Sequence, residues 1–413
     1  MSASKSASQF DVLIVGGGMA GLLLARLLDM SGCAGRQSSL SVGVVEPRPP
    51  APRASDAPLD LRVSALSPAS LELLARVGCL SRLSSAVCNP YERMRVWQDG
   101  GGPEGSHALT FDAAESGVAA LGSIVENHAV RAVLWDQLSQ STTVQLFTAT
   151  LQSVRETPTA CEVHCDSVEL RARLLVGADG IHSKVREQLG ISGRQRAYQQ
   201  NALVAHLASE RAHGNTAWQK FLPDGPAALL PLADGRSSLV WSHPDSLSAE
   251  LLALSDEQFA ARLEEQLDGV LGKLQCTTSR VAFPLARDHA DCYTGRRFAL
   301  IGDAAHRVHP LAGQGANLGF RDVAVLADEL GQHLRSPWAD PGDPRVLRRY
   351  ERRRKGDNAL TLGAMDGLNA IFSSPLASLG GAGLGWVNRS RPLKAFFVTR
   401  AMGTNESHES GRG

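Results

Sequence analysis

Short, continuously apolar runs alternate along this chain with glycine-rich turns and with longer stretches in which apolar residues recur every three or four positions. The first pattern predicts strands buried on both faces, and the second predicts helices packed over them. Residues 10–15, FDVLIV, predict a strand that runs straight into Gly16, Gly17, Gly18, Met19, Ala20 and Gly21, then into the helical spacing of residues 22–28. A second strand is predicted over residues 40–45 and ends in Glu46. Two more apolar runs come much later. Residues 173–180, RLLVGADG, carry Asp179 in a Gly-x-Asp-Gly turn, and residues 298–302, FALIG, put Gly302 and Asp303 at a strand end. From there a proline turn at Pro310 and the glycines Gly313, Gly315 and Gly319 lead into a helix predicted over residues 316–334. Between those two runs, NALVAHLA, AALLPL and SSLVWS alternate with polar turns, the pattern of an antiparallel sheet.

The strand ends carry the candidate chemistry. A strand, G-x-G-x-x-G and a helix, followed by a second strand ending in an acid, is the arrangement that binds a dinucleotide. Gly16 permits the turn, Gly18 lets the backbone approach a pyrophosphate, and Gly21 lets helix and strand pack closely. Glu46 stands where a ribose hydroxyl needs an acceptor. Asp303 arrives at the carboxyl edge of a doubly wound sheet, where an acid grips a ligand hydroxyl. Gly315, Ala316 and Asn317 open the next helix, whose positive dipole end favours an anion by about 0.3–1 kcal/mol when exposed. His306 and His309 lie three apart, but no cysteine or further acid completes a ligand set, so no metal is expected. Residues 161–165, CEVHC, alternate as a strand does.

Bulk properties narrow the class. The chain has 413 residues, enough for two domains or one large composite, and 43% of them are hydrophobic. Forty-two basic and 42 acidic side chains leave no net charge, so no nucleic-acid partner is expected. Seven cysteines at irregular spacing, without C-x-x-C, predict free thiols in a reducing compartment. No leader precedes the first strand and no apolar run reaches about 18 residues, so a cytoplasmic protein is expected.

Taken together, the motifs resemble a known family. The N-terminal G-x-G-x-x-G with its acid, the mid-chain GADG and the late GDAAH are similar to those of the aromatic-hydroxylating flavoprotein monooxygenases, the group A enzymes that bind FAD. Within that superfamily, DLRVSALSPAS at residues 60–70, VEN at 125–127, WQKFLPDGPAALLPL at 218–232 and HPLAGQGANLGFRD at 309–322 resemble the ubiquinone-biosynthesis aromatic ring hydroxylases. The resemblance implies an α/β composite: a Rossmann-like FAD-binding domain of the p-hydroxybenzoate-hydroxylase type, an inserted antiparallel-sheet substrate domain and C-terminal helices. It also implies roles. Gly16, Gly18, Met19, Ala20, Gly21 and Glu46 would hold the ADP half of FAD, and Arg62 would neutralise the pyrophosphate or sit near the flavin. Asp179 would belong to the turn shared by FAD and pyridine nucleotide. Gly302 and Asp303 would bind the ribityl chain; Pro310, Gly313, Gly315, Ala316 and Asn317 would position the flavin. Asn127 and Arg131 match a helix that touches the flavin in relatives.

The implied chemistry is the cofactor's, with no acid–base triad. Reduced flavin and dioxygen would form a C4a-hydroperoxide, which an electron-rich phenol or hydroquinone ring of a lipophilic polyprenyl substrate attacks. The WQKFLPDGP and CNPYERMRVW stretches favour hydroxylation at C6 or C5. Electrons would come from NAD(P)H bound near residues 177–182 and Arg62, or from a reduced ferredoxin. Two alternatives stay open: a hydroxylase of another aromatic or lipophilic substrate, and a flavin-stabilised scaffold for other ubiquinone-pathway proteins.

The scattered motifs predict a discontinuous FAD-binding domain over residues 9–75, 122–196 and 284–344, with a substrate domain over 76–121 and 197–283. Residues 47–58 are proline-rich and predict a flexible loop. Residues 345–404 predict C-terminal helices. Their basic opening, with aromatic residues interleaved with Arg389, Arg391 and Lys394 further on, suits either a solvated face or docking on the inner face of the cytoplasmic membrane. Residues 1–8 and 405–413 are expected to be disordered tails.

Overall fold

A computed structural model of the chain describes residues 8–31, 40–54, 57–98, 102–105, 108–307, 315–336 and 338–372. His309, Pro310, Gly313, the expected tail over 405–413, residues 1–7 and the C-terminal stretch 373–404 lie outside the described residues.

The apolar runs form strands Ser8–Val15, Val42–Val45, Glu169–Gly177 and Phe298–Leu300, and Val144–Phe147 joins them. They pair in parallel in the order 144–147, 42–45, 8–15, 169–177, 298–300. Register aligns their carboxyl ends: Val15 pairs with both Val45 and Gly177, and Gly177 with Leu300. Gly16, Glu46, Asp179 and Asp303 therefore leave the sheet along one edge, where such sheets bind ligands. An antiparallel hairpin, Leu151–Glu156 and Cys161–Cys165, borders the first half of Glu169–Gly177, and Cys161, Val163 and Cys165 are its buried, alternating positions. Helix Met19–Ser31 buries Leu22, Leu23, Leu24, Leu27 and Leu28 and packs against helices Asn127–Ser139 and Gly315–His333.

A second sheet of nine strands stands against this layer. Its centre is antiparallel, built from Gly193–Ser209, Val281–Ala290, Ser237–Pro244, Gly225–Pro231 and Thr216–Leu222. Arg93–Gln98 adds to Thr216–Leu222 in parallel. On one face Leu203, Leu207, Leu229 and Leu239 pack against Leu251, Phe259 and Leu263 of two helices, Asp245–Ala253 and Asp256–Gln266. Side chains alternate along a strand, so the intervening positions face the other way. There Ala217, Ala228 and Leu230 meet Ala65 and Ile124 of a small sheet formed by Val63–Leu66, Gly122–Glu126 and Cys88–Tyr91. Positions 196/197 and 283/284 both fall inside the long paired strands, whose ladder carries an irregularity between Ala197 and Gln200. The two regions thus share continuous strands.

Helix Pro344–Phe372 packs on helix Gly315–His333. Val346, Leu347 and Tyr350 on its inner stripe belong to the same hydrophobic core as the parallel sheet. Among the described residues no helix is long and apolar enough to cross a membrane.

Candidate cofactor and active site

The glycine turn is held open at one point and closed everywhere else. Gly16 has φ +115°, and a Cβ there would lie 2.3 Å from the Ala178 carbonyl oxygen, so the turn presses on the neighbouring Asp179 turn. A Cβ on Gly21 would lie 2.0 Å from the Gly16 oxygen. Above Gly18, by contrast, a Cβ would meet nothing within 4 Å. Glu46 anchors the turn from the second strand: Oε2 accepts from the Gly17 N–H at 2.6 Å and Oε1 from the Arg48 N–H at 3.0 Å. A carboxylate offers about four lone-pair sites, which leaves room for a ribose hydroxyl. Arg131, on the helix matched to one that touches the flavin in relatives, lies against this turn. Its Nε donates to the Gly17 carbonyl at 2.8 Å and its guanidinium is 3.8 Å from Glu46, because helix Asn127–Ser139 passes beside helix Met19–Ser31.

Asp303 is open to solvent and, among the described residues, no hydrogen bond holds its carboxylate. Desolvation by the surrounding protein nevertheless pushes its pKa up, against the pull of His306, Arg307 and Arg62. The carboxylate is thus reachable by solvent yet crowded by neighbouring protein. Arg62 is exposed beside it, with Cζ 5.4 Å from the centroid of the Phe283 ring. Asn127 fixes the Arg62 segment: its N–H donates to the Arg62 carbonyl at 3.0 Å, and its Oδ1 accepts from Ser64 Oγ at 2.8 Å. Met19 packs on the core, and Ala20, Gly302 and Gly319 are small where three elements converge, a Cβ on Gly319 lying 3.3 Å from Gly302 Cα.

Two predicted residues have side chains bonded within the protein. Asp179 accepts from Ser183 Oγ at 2.5 Å and from the Val185 N–H at 3.1 Å, so its carboxylate caps the short helix Lys184–Gln188. Burial raises its pKa despite those bonds. Asn317 is buried, with Oδ1 accepting from the Ser67 N–H at 2.9 Å and Ser70 Oγ at 2.8 Å, and Nδ2 donating to the Ala65 carbonyl at 2.8 Å. Its side chain locks the helix start, and only its backbone, with that of Gly315 and Ala316, belongs to the first turn, where N–H groups lack helical partners.

Sequence reasoning missed the charged residues that tie this edge together. Asp322 is fully buried; its Oδ2 accepts from the Gly302 N–H at 2.9 Å and bonds His306 Nε2 at 2.5 Å. Its Oδ1 accepts from Arg354 Nε at 2.8 Å and Asn358 Nδ2 at 3.2 Å. Asn358 Nδ2 also reaches the Tyr293 hydroxyl at 3.3 Å, which bonds His289 Nε2 at 2.8 Å. His306 thus pairs with an acid, and among the described residues no side-chain cluster is suited to a metal. The available signal was a charge on an apolar stripe: Asp322 lies between Leu318 and Leu326, and Arg354 continues the stripe of Val346 and Tyr350, each at a spacing of four.

On the face of the large sheet that carries Phe283, beneath Arg62, lies a strip of half-buried apolar side chains. Val204 pairs with Val240 and Val281, and Phe283, under Arg62, pairs with Ala202. The residues present fit FAD: backbone bordering open space at Gly18, an unbonded acid at a strand end, and helix-start amides across from it.

Comparison with known proteins agrees. The FAD binding domain family matches residues 9–359, ending just beyond Asn358. Ubiquinone hydroxylase UbiL of Rhodospirillum rubrum is 39% identical over 399 residues, 95% of this chain and 90% of its own length. The 3-demethoxyubiquinol 3-hydroxylase of Escherichia coli is 37% identical over 406 residues, 95% of this chain and 98% of its own. Among solved structures, PqsL of P. aeruginosa in complex with 2-aminobenzoylacetate superposes with a TM-score of 0.73 at 26% identity, covering 93% of this chain and all of its own. The open glycine turn, the solvent-exposed acid at a strand end and these likenesses over nearly the full chain lead to one conclusion: the protein is an FAD-dependent monooxygenase and belongs to the ubiquinone-biosynthesis hydroxylases of the FAD-binding family.

Proposed function

We propose that this chain hydroxylates the aromatic ring of a polyprenyl phenol or benzoquinol intermediate in ubiquinone biosynthesis, with C6 or C5 as the position. The observation that carries this reading is the half-buried strip of Val204, Val240, Val281 and Phe283 on one sheet face, with Arg62 over the Phe283 ring, a surface suited to a lipophilic ring. Relatives matched from end to end and named for ubiquinone hydroxylation support the pathway. Bound FAD supplies electron transfer and activation of dioxygen. The chain's own residues do the holding. The backbone at Gly18 takes the pyrophosphate with Arg62 near it, Glu46 accepts from the adenosine ribose, and Asp303 accepts from the ribityl hydroxyls. The amides of Gly315, Ala316 and Asn317, at the positive helix end, favour negative charge on the pyrimidine ring. The apolar strip orients the ring and keeps water out, since water access diverts oxygen to peroxide.

Pyridine nucleotide, the typical donor of this family, docks transiently near residues 177–182 and Arg62, and reduced ferredoxin is the alternative donor. Flavin bleaching under anaerobic mixing with each distinguishes them. Arg345, Arg348 and Arg352 lie exposed on the outer stripe of helix Pro344–Phe372, their guanidinium groups without a partner among the described residues, and support contact with an anionic membrane surface. Flotation on anionic vesicles should fall when all three are changed to serine, and unchanged flotation removes the membrane contact. The pathway assignment is tested by expressing the chain in strains that each lack one ring hydroxylase. One accumulated intermediate should disappear by mass spectrometry; if none does in any strain, the assignment fails. Ring hydroxylation of a prenylphenol by the purified protein separates an enzyme from a flavin-stabilised scaffold.

A further inference from the structure

Asp303 has no hydrogen bond of its own among the described residues, so something else must fix where its carboxylate stands. Gly302, just before it, has φ +58°, in the left-handed region, and sits in a short 3-10 turn, Gly302–Ala304. Such a turn is not held by a long ladder: strand Phe298–Leu300 ends two residues earlier, and the next pairing, His306–Arg307 against Asp288 and His289, begins three residues after Asp303. The backbone that presents the acid is therefore clamped from outside. Backbone bonds fasten its two ends, Ile301 N–H to the Gly177 carbonyl at 3.0 Å and Ala290 N–H to the Ala305 carbonyl at 2.9 Å, and between those ends the clamp is one carboxylate. Asp322 Oδ2 bonds the Gly302 N–H before Asp303 and His306 Nε2 after it, at 2.9 and 2.5 Å. Its Oδ1 is turned to the last described helix, where Arg354 and Asn358 bond it.

The division of oxygens matters. A buried carboxylate needs nearly all its lone pairs satisfied, and here one oxygen serves the acid-bearing turn while the other serves a helix more than 30 residues away. Arg354 is itself wholly buried and also holds Asp357 and Asn358, so it cannot swing away without leaving a charge unpaired in the core. Tyr350 on the same helix adds a hydroxyl bond to the Leu300 carbonyl at 2.7 Å, at the end of the same strand. Helix Pro344–Phe372 thus reaches the cofactor edge through its inner stripe.

We infer that Asp322 is a positioning residue: braced by Arg354 and Asn358, it sets the turn that aims Asp303 at the cofactor, so the helix Pro344–Phe372 determines FAD affinity without touching FAD. This rests on the assignment of Asp303 to the ribityl chain. The role predicts an effect on the flavin that loss of packing alone does not produce.

The test uses the full-length protein, apo and FAD-loaded, with Asp322→Asn, His306→Gln, Asp303→Asn and, as a packing control, Arg349→Met, which removes the 2.6 Å ion pair with Glu329 between the same two helices. FAD dissociation constants, visible flavin spectra and apo thermal stability are read for each. Asp322→Asn should weaken FAD binding about tenfold or more, the loss of one charge-assisted contact's worth of alignment, and shift the bound-flavin spectrum. Arg349→Met should leave both unchanged while lowering stability. His306→Gln keeps a donor to Asp322, stands in for Asp322→Asn should that variant fail to fold, and should give a smaller shift of the same sign. Wild-type affinity and spectrum in Asp322→Asn, or in His306→Gln where the former does not fold, overturn the inference. So does loss of affinity in proportion to lost stability across all variants, Arg349→Met included. Unchanged FAD binding in Asp303→Asn instead overturns the ribityl assignment, a result separable from the first.

Discussion

Burial by itself would raise the Asp322 carboxyl, but His306 and Arg354 beside it hold it far below the usual carboxylate range. The unfolded chain therefore binds a proton here before the folded one does, so the pair's stabilisation is present above about pH 4 and is lost as pH falls below it. Arg354→Met should cost about 3–5 kcal/mol in urea unfolding at pH 7, because it strands a buried charge, and the acid-side loss should shrink in that variant. His206 acts at higher pH. Both ring nitrogens are buried without a partner, and burial pushes its pKa down to about 4. The unfolded state takes up that proton near pH 6.5, so His206 removes stability between about pH 6.5 and 4. His206→Leu should unfold no earlier than wild type at pH 7 and show a flatter decline across that window, since it deletes an unsatisfied buried polar group at a cost-free site. A steeper decline would contradict the burial of a neutral ring.

The glycine turn gives a sharper contrast at the scale of an element. Gly16→Ala meets both a positive φ and a carbonyl 2.3 Å away, so it should destabilise the apo-protein by about 1–3 kcal/mol or more as well as abolish FAD binding. Gly18→Ala meets no protein atom, so apo stability should stay within about 0.5 kcal/mol while FAD affinity falls. Calorimetry on apo-protein and FAD titration read the two effects separately. This turn was legible in the chain because its logic is local: strand, glycines at fixed offsets, helix. The helix start at Gly315 was equally legible, and lies one residue from its expected beginning. Orientation was not. Whether Asn317 points at a ligand or inward depends on Ser67 and Ala65, about 250 residues earlier, and no local period reports that. The same holds for Arg131, whose partner is the Gly17 carbonyl.

Across the whole molecule, the proposed chemistry needs one face of the antiparallel sheet beside the carboxyl edge of the parallel one, and Arg62 over the Phe283 ring is where the two come together. Val204→Asn should leave the rate of flavin reduction unchanged but raise the ratio of hydrogen peroxide to hydroxylated product, because it wets the strip without touching the cofactor edge. A peroxide assay beside product quantification checks it, and an unchanged ratio would remove Val204 from the water barrier. Strand and helix identity, the carboxyl-edge acids and the family were determined by the sequence itself, because apolar periodicity and glycine spacing are properties of neighbouring residues. The tertiary structure alone decided which acids stay free and which are spent. Asp303 stays exposed and unbonded among the described residues while Asp179 caps a helix and Asp322 binds Arg354, 32 residues on. A buried polar group must find partners wherever the fold brings them, and that pairing is settled by packing, after the local pattern has made the elements.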